Sequence, residues 1–191
     1  MQDLNEKKLH SEQLVDGQLL KVYRDRVRLP NGGETIREWI DHPGASAVVP
    51  LFADGSTMLV RQFRYPPRRT FLEVPAGKMD RSGEKPAEVA ARELEEETGW
   101  RAETFSRLGA LYPCIGYSNE IIYLYLAEGL TKGRRSLSEG EFMDVVAMGF
   151  VEALALVAKG EIVDMKSAAA LLYAEAYLER RSEAYEGEKL R

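Results

Sequence analysis

Four glutamates, Glu93, Glu95, Glu96 and Glu97, crowd the end of one short predicted helix between Pro86 and Gly99. Like charges four residues apart on a helix repel and destabilise it. Divalent cations are the natural counter-charge, because hard cations take oxygen ligands and bridge to substrate phosphates. The competing reading is a solvated helix laced with ion pairs, to which Lys85 and Arg92 would contribute. At about 100° per residue, Ala87, Ala90, Ala91, Leu94 and Thr98 share a narrow, small and apolar face that can press onto a sheet. Glu93 and Glu97 lie together on another face with Glu96 beside them, whereas Glu95 shares the solvent flank with Glu88. Three converging carboxylates and one bystander are therefore expected. Pro86 suits the first helical turn and Gly99 the position just past the end.

Such a helix needs a sheet to seat it. Apolar strand signals run through AVVPLF from Ala45, then TMLVRQFRY after the Asp54-Gly55 turn, ended by Pro66-Pro67, then TFLEV into the loop Pro75-Ala76-Gly77. After the helix come strands near 103–112 and 121–127, parted by PCIGYSNE, and the strand FMDVVAMGF after a polar loop. FVEALALVAKG reads as a helix ended by Gly160. Asp164 then caps a longer helix with Ala168, Leu171, Leu172 and Leu178 on its apolar side, and fraying is expected from Ser182 onward. Ahead of Ala45 lies a β-hairpin turning at Asn31-Gly32-Gly33. Its return strand alternates Ile36, Glu38, Ile40 with Arg37, Trp39, Asp41. His42-Pro43-Gly44 breaks the chain, dividing a small β unit, residues 1–43, from a second domain, residues 44–191. Strands and helices in layers around one core make the fold class α/β (α+β).

At 191 residues the chain can bury one substantial core with a small appendage. A net charge of −5 argues against a nucleic-acid-binding surface, which would carry a basic stripe. The arginines from Arg61 to Arg69, and Arg134-Arg135, are local clusters suited to a small anion. Cys114 is the only cysteine, so no intrachain disulfide can form and a reducing compartment is expected. MQDLNEKKLHSEQ has no secretory apolar region, and no apolar run reaches membrane-spanning length. A cytoplasmic location is the resulting expectation.

Gly77, Glu84, Arg92-Glu93-Leu94, Glu96-Glu97, Gly99 and Trp100 together resemble the Nudix box: Gly, five residues, Glu, seven residues, then R-E-U-x-E-E-x-G-U with U bulky and apolar. One departure stands out: six residues separate Gly77 from Glu84. The resemblance implies a Nudix α/β/α sandwich with a mixed central sheet. It also implies Mg²⁺ (or Mn²⁺) held by Glu93, Glu96 and Glu97 with the Ala76 carbonyl, and Arg92 orienting the glutamates while paired to Glu84. The flanks REWIDHPGASAVVPLF, RQFRYP, FLEVPAGK, YPCIGYSNE and GEIVDMKSAAALL resemble the branch that hydrolyses ADP-ribose and nucleoside diphosphate sugars. A nucleotide-sugar substrate, and a homodimer formed through the N-terminal unit, follow from that resemblance. The runner-up is a GDP-mannose or broad nucleoside diphosphate sugar hydrolase. A reading from another class, a non-catalytic nucleotide-sugar sensor, fits less well because such proteins usually lose box glutamates that this chain keeps.

A diphosphate calls for forked hydrogen bonds, which Arg64 or Arg61 could supply from the strand before the box. Arg37 and Trp39 share a hairpin face that could receive a nucleobase by stacking, although Trp39 reads equally as interface core. Glu73, just before the loop, is expected to be a substrate contact, with a buried strand partner as the alternative. Glu120, in the loop Ser118-Asn119-Glu120, borders the sugar-phosphate end by resemblance. For the general base, the loop before the last strand offers Glu139, Glu141 and Asp144, of which Glu141, beside Gly140, matches the family position best.

Overall fold

The computed structural model describes residues 3–189. By its internal contacts the chain divides into two units: residues up to Gly44 with Tyr112–Ile121, and Ala45–Leu111 with Ile122 onward.

The first unit is an antiparallel meander of β1 (Lys7–Asp16), β2 (Lys21–Arg28) and β3 (Glu34–Asp41). The expected hairpin is β2–β3, turning where Gly32 takes φ +86° and Leu29 N–H donates to Gly33 O at 2.7 Å. Strand β1 was not expected, because KKLHSEQLVD is exposed along almost its whole length and shows no apolar face. Backbone pairing and cross-strand polar contacts hold it: Ser11 Oγ donates to Asp25 Oδ1 at 2.6 Å. The segment 112–121, assigned from sequence to residues 44–191, is tied to the end of β3. There Ile40 N–H donates to Tyr117 O at 2.8 Å and Asn119 Nδ2 to Asp41 Oδ1 at 2.6 Å.

In the second unit β4 (Ala45–Pro50) is buried on both faces, as an apolar run without alternation requires. β5 (Ser56–Arg64), β6 (Arg69–Glu73) and the short β7 (Ala76–Lys78) follow, then α1 (Pro86–Glu93), which continues as one π-helical turn, Leu94–Thr98. β8 (Trp100–Arg101), β9 (Thr104–Leu111), β10 (Ile122–Glu128), β11 (Thr131–Lys132) and β12 (Met143–Gly149) lead to α2 (Phe150–Ala158) and α3 (Met165–Lys189). The main sheet runs β7-β4-β10-β9, with β4 and β10 parallel and the other pairs antiparallel. A second, antiparallel sheet runs β12-β5-β6, and β8 pairs with β11.

Strand alternation sorts the core into two layers. Ala45, Ala47 and Val49 of β4 and Ile122, Leu124 and Leu126 of β10 face Phe150, Ala153, Ala170, Leu171 and Ala174 of α2 and α3. On the other side Val48, Tyr125 and Ala127 meet Ala90 and Leu94, the small apolar face expected of the glutamate helix. The result is an α/β/α sandwich with a mixed central sheet. Leu94 is fully buried, which alone contributes about 2 kcal/mol to seating the helix.

Three local expectations differ from the structure. Ala76–Gly77 belongs to a strand, β7, rather than a loop. Leu172 is 47% exposed, whereas Leu171 is buried as expected and is joined on that side of α3 by Ala170 and Ala174. The helix also runs on past Ser182 to Lys189, with the last two residues of the expected frayed end lying outside the described residues.

Candidate active site

The carboxylates at the end of α1 are gathered by one guanidinium. Arg92 donates through Nε and Nη2 to Glu84 at 2.9 and 3.2 Å, and through Nη1 to Glu93 at 2.5 Å and Glu96 at 3.0 Å. Glu84 comes from the loop before the helix, so the same fork ties that loop to the helix end. Beneath lies Gly77: a Cβ there would stand 1.8 Å from Glu93 Oε1. Only glycine leaves room for that carboxylate in its present place. Gly77→Ala should displace Glu93 and weaken the apparent divalent-metal affinity about 10–100-fold, the range for disturbed ligand support, while melting stays nearly unchanged. Titrating activity against metal concentration measures this.

Glu97 behaves differently from its neighbours. The π turn, which widens the helix by one residue per hydrogen-bonded ring, ends at Gly99 with φ +78°. Glu97 is 6% exposed, and its Oε2 accepts the Ala76 N–H at 3.2 Å. Burial, reinforced by the Glu93 and Glu141 carboxylates and opposed by the Ala76 N–H, pushes its pKa up to about 8. Burial likewise raises Glu93, against the pull of Arg92. The expected convergence of three carboxylates is thus split: Glu93 and Glu96 turn onto Arg92 Nη1, and Glu97 stands on the Ala76 amide. Accordingly, among the described residues no group of three or more His, Cys, Asp or Glu side chains is gathered closely enough to hold a metal. The donor set nevertheless fits a hard divalent cation. Glu84, Glu93 and Glu96 share the one half-buried Arg92 guanidinium, and Glu97 stands buried beside them with its carboxyl raised first by burial and then by the Glu93 charge. Glu95, expected to be a bystander, bonds Arg101 at 2.7 Å and accepts the Arg134 N–H at 3.2 Å, anchoring the loop before β12.

The three acidic candidates for a proton acceptor separate by position. Glu141 closes a turn in which Ser138 N–H donates to its Oε2 at 3.0 Å, and its charge reaches both Glu93 and Glu97. Asp144 pairs with Arg61 at 2.5 Å, in register across β12 and β5. On β5 and β6, Arg61 stands opposite Leu72, whereas Val60 stands opposite Glu73. Side-chain alternation therefore puts Arg61 and Asp144 on the sheet face away from Glu73. That face lines an open groove of about 690 Å³ with Phe63, Leu72 and Phe142. Glu139 is an exposed turn residue.

Glu73 is buried and fully engaged. It accepts Arg64 Nε and Nη2, both at 2.7 Å, and the Lys166 ammonium, which also donates to Asp164 at 2.8 Å. Ser167, capped by Asp164, takes the Val74 N–H at 2.9 Å, so the start of α3 is fastened to the strand that carries Glu73. Sequence reasoning missed Asp164, Lys166 and Ser167 as site neighbours; the only signal was the D-x-K-S spacing within GEIVDMKS. Burial alone would raise Glu73, but Arg64 and Lys166 outweigh it and hold the carboxyl below its usual value of 4.5. A depressed pKa stabilises the fold above that value, and the contribution is lost as pH falls through the folded pKa. Glu73→Gln should therefore cost about 2 kcal/mol at neutral pH, less than a fully buried pair because Arg64 is 42% exposed. Urea unfolding should show the gap from the parent narrowing below pH 4.5.

In the first unit, Trp39 stacks on Tyr23 with ring centres 5.2 Å apart and donates Nε1–H to the buried Asp25 at 3.1 Å. Arg37 is engaged by Glu6 at 2.6 Å. Glu120 takes its backbone support from Ser118 Oγ at 3.1 Å, and its carboxylate lies 3.7 Å from His42 Nδ1.

Comparison with known proteins accords with this arrangement. Residues 41–170 match the NUDIX domain, and residues 6–40 match the nucleoside diphosphate sugar hydrolase N-terminal domain. The chain is 41% identical to an ADP-ribose pyrophosphatase of Bacillus subtilis, over 91% of this chain and 94% of that one. It is 39% identical to a methanol dehydrogenase activator of Bacillus methanolicus, over 88% and 91% of the two chains. A solved structure described as an ADP compounds hydrolase superposes with a TM-score of 0.83 at 21% identity, covering 95% of this chain and 98% of that one, and so shares the fold. Match of this extent, laid over a glycine-seated cluster of helical glutamates, places the chain in the Nudix family of hydrolases.

Proposed function

We propose that the protein hydrolyses the diphosphate bond of ADP-ribose or a related nucleoside diphosphate sugar with Mg²⁺, releasing a nucleoside monophosphate and a sugar phosphate. Nudix proteins generally depend on divalent metals. The observation that carries the reading is the pair of supports under the carboxylates: Gly77 with no room for a Cβ beneath Glu93, and Glu97 buried without a cationic partner of its own. Bound there, a divalent cation would neutralise phosphate charge and favour deprotonation of the attacking water.

In this reading Glu93, Glu96 and Glu97 with the Ala76 carbonyl hold the cation, and Arg92 keeps the glutamates oriented. Glu141 accepts a proton from water as the water oxygen bonds to one phosphorus, while the bond from that phosphorus to the bridging oxygen breaks and the bridging oxygen leaves on the other phosphate. Arg64, fixed by its two bonds to Glu73, meets the diphosphate with its remaining donors. Trp39 offers the base a ring already stiffened by Tyr23 and Asp25, with Arg37 beside it, and Glu120 meets the sugar-phosphate end. Residues 1–43 serve dimerisation and base contact, and residues 44–191 the chemistry. A homodimer is favoured by apolar side chains left open on the first unit: Leu14, Val15 and Ile36 are 37%, 45% and 49% exposed. Light scattering should give twice the chain mass; a monomeric mass would remove this part of the reading. No helix among the described residues is long and apolar enough to cross a membrane, and with one cysteine we assign the protein to the cytoplasm.

The deciding experiment measures phosphate released by a coupled phosphatase, with and without Mg²⁺, from ADP-ribose, ADP-glucose, GDP-mannose, UDP-glucose and dinucleoside polyphosphates. Mg²⁺-dependent turnover with ADP-ribose at the highest kcat/KM supports the proposal. Preference for GDP-mannose would replace the substrate, and no turnover across the panel would point to a nucleotide-sugar sensor.

A further inference from the structure

The last carbonyls of a helix have no intrahelical partners and must find donors elsewhere. At the end of the glutamate helix the loop between β11 and β12 supplies them. Ser136 N–H donates to Glu96 O at 2.9 Å, Arg135 Nε to Glu97 O at 2.7 Å, and Gly133 N–H to Gly99 O at 2.8 Å. The approach is close: a Cβ at Gly99 would stand 3.2 Å from Arg135 N and 3.3 Å from Arg135 Cβ. Arg135 then reaches further than its neighbours. Its Nη2 donates to Met143 O at 2.5 Å, at the first residue of β12 and two residues after Glu141.

One planar guanidinium thus bridges two backbone carbonyls, one on the metal-holding helix and one at the exit of the Glu141 turn. A rigid fork holds two acceptors at a set separation, which a flexible ammonium cannot do. The turn itself is weakly fastened. Glu141 is exposed, Gly140 takes φ +87°, and the bonds within the turn run only between Ser138 and Glu141.

We propose that Arg135 is a positioning residue: it sets the spacing between Glu97 and Glu141, so that the proton acceptor stands at working distance from the metal-holding helix. This rests on the reading of Glu141 as the base. Misplacement of a reacting group by about 1 Å can cost about 100-fold in rate, so the effect belongs in kcat.

The test compares Arg135→Ala, Arg135→Lys, Glu141→Gln and the double variant Arg135→Ala/Glu141→Gln, reading kcat, KM, the Mg²⁺ concentration for half activity, and Tm. Both Arg135 variants should lower kcat at least about tenfold, with KM and Mg²⁺ dependence within about twofold. In the Glu141→Gln background the loss should vanish, because a base that is absent cannot be misplaced; coupled residues are non-additive in this way. Multiplying losses, a shift in KM or Mg²⁺ dependence in place of kcat, or full kcat in Arg135→Lys would overturn the proposal. If Arg135→Ala does not fold, Arg135→Lys decides through the same readouts, alone and combined as Arg135→Lys/Glu141→Gln. Full kcat in Glu141→Gln would instead remove the base reading, and this inference with it, a result distinct from a slow Glu141→Gln whose loss simply multiplies with that of Arg135→Ala.

Discussion

Glu97→Gln is expected to lower Mg²⁺-dependent kcat by about a thousandfold, and at the same time to stabilise the metal-free protein at alkaline pH. The first effect follows from removing a charged oxygen donor where several kcal/mol of charge stabilisation is at stake, each 1.4 kcal/mol being about tenfold in rate. The second follows from burial. The folded pKa of Glu97, about 8, lies above the ordinary value of 4.5, so between those values the folded protein binds more protons than the unfolded chain. Glu97's contribution to stability is therefore full below pH 4.5 and is lost as pH rises to about 8. Glutamine keeps the shape of the neutral carboxyl and cannot ionise, so the variant escapes that loss. Thermal melts at pH 5 and pH 8.5, with chelator and with Mg²⁺, provide the check. The metal-free variant should melt above the parent only at the higher pH, and Mg²⁺ should stabilise the parent more than the variant. Equal Mg²⁺ stabilisation of the two proteins would remove Glu97 from the metal site.

Glu141→Gln is expected to lower kcat by about 100- to 10,000-fold, the range for a positioned acid–base group, with KM and Mg²⁺ dependence little changed. Glutamine still accepts the Ser138 N–H, so the turn survives, but it no longer takes a proton from water. Folding should be unaffected, because the side chain is exposed. A secondary effect follows from charge: Glu141 is one of the groups raising Glu97, so its neutralisation should bring the Glu97 carboxyl down in the metal-free protein. Steady-state kinetics together with carboxyl titration by NMR test both parts. A kcat within a few-fold of the parent would move the base elsewhere, and Asp144, paired with Arg61 on the other sheet face, is poorly placed to replace it.

Much of this protein could be read directly from local order. The 3.6-residue period put Ala90 and Leu94 on one helix face before any sheet was known, and they pack on Val48 and Tyr125 as that face requires. Apolar runs and turn residues located the strands, and the spacing from Gly77 to Trp100 identified the family. These features are legible because helix faces, strand alternation and turn chemistry depend on residues close together in the chain. Strand β1 escaped for the same reason, since its side chains carry no apolar alternation and its pairing is made by the backbone.

What only the tertiary structure decided depends on distant partners. Glu97 turns onto the Ala76 amide while Glu93 and Glu96 turn onto Arg92, a division of partners that an ideal helical wheel cannot register. Lys166 meets Glu73 across 93 positions, and Arg61 meets Asp144 across 83, contacts that depend on how strands and helix are brought together. Glu95 changed from a solvent charge to an anchor once Arg101 and Arg134 came beside it. The sequence by itself pointed to the glutamates proposed to hold a cation and to the helix that carries them. The fold decided where each carboxylate turns, because that depends on whichever guanidinium or amide packing places within hydrogen-bonding reach.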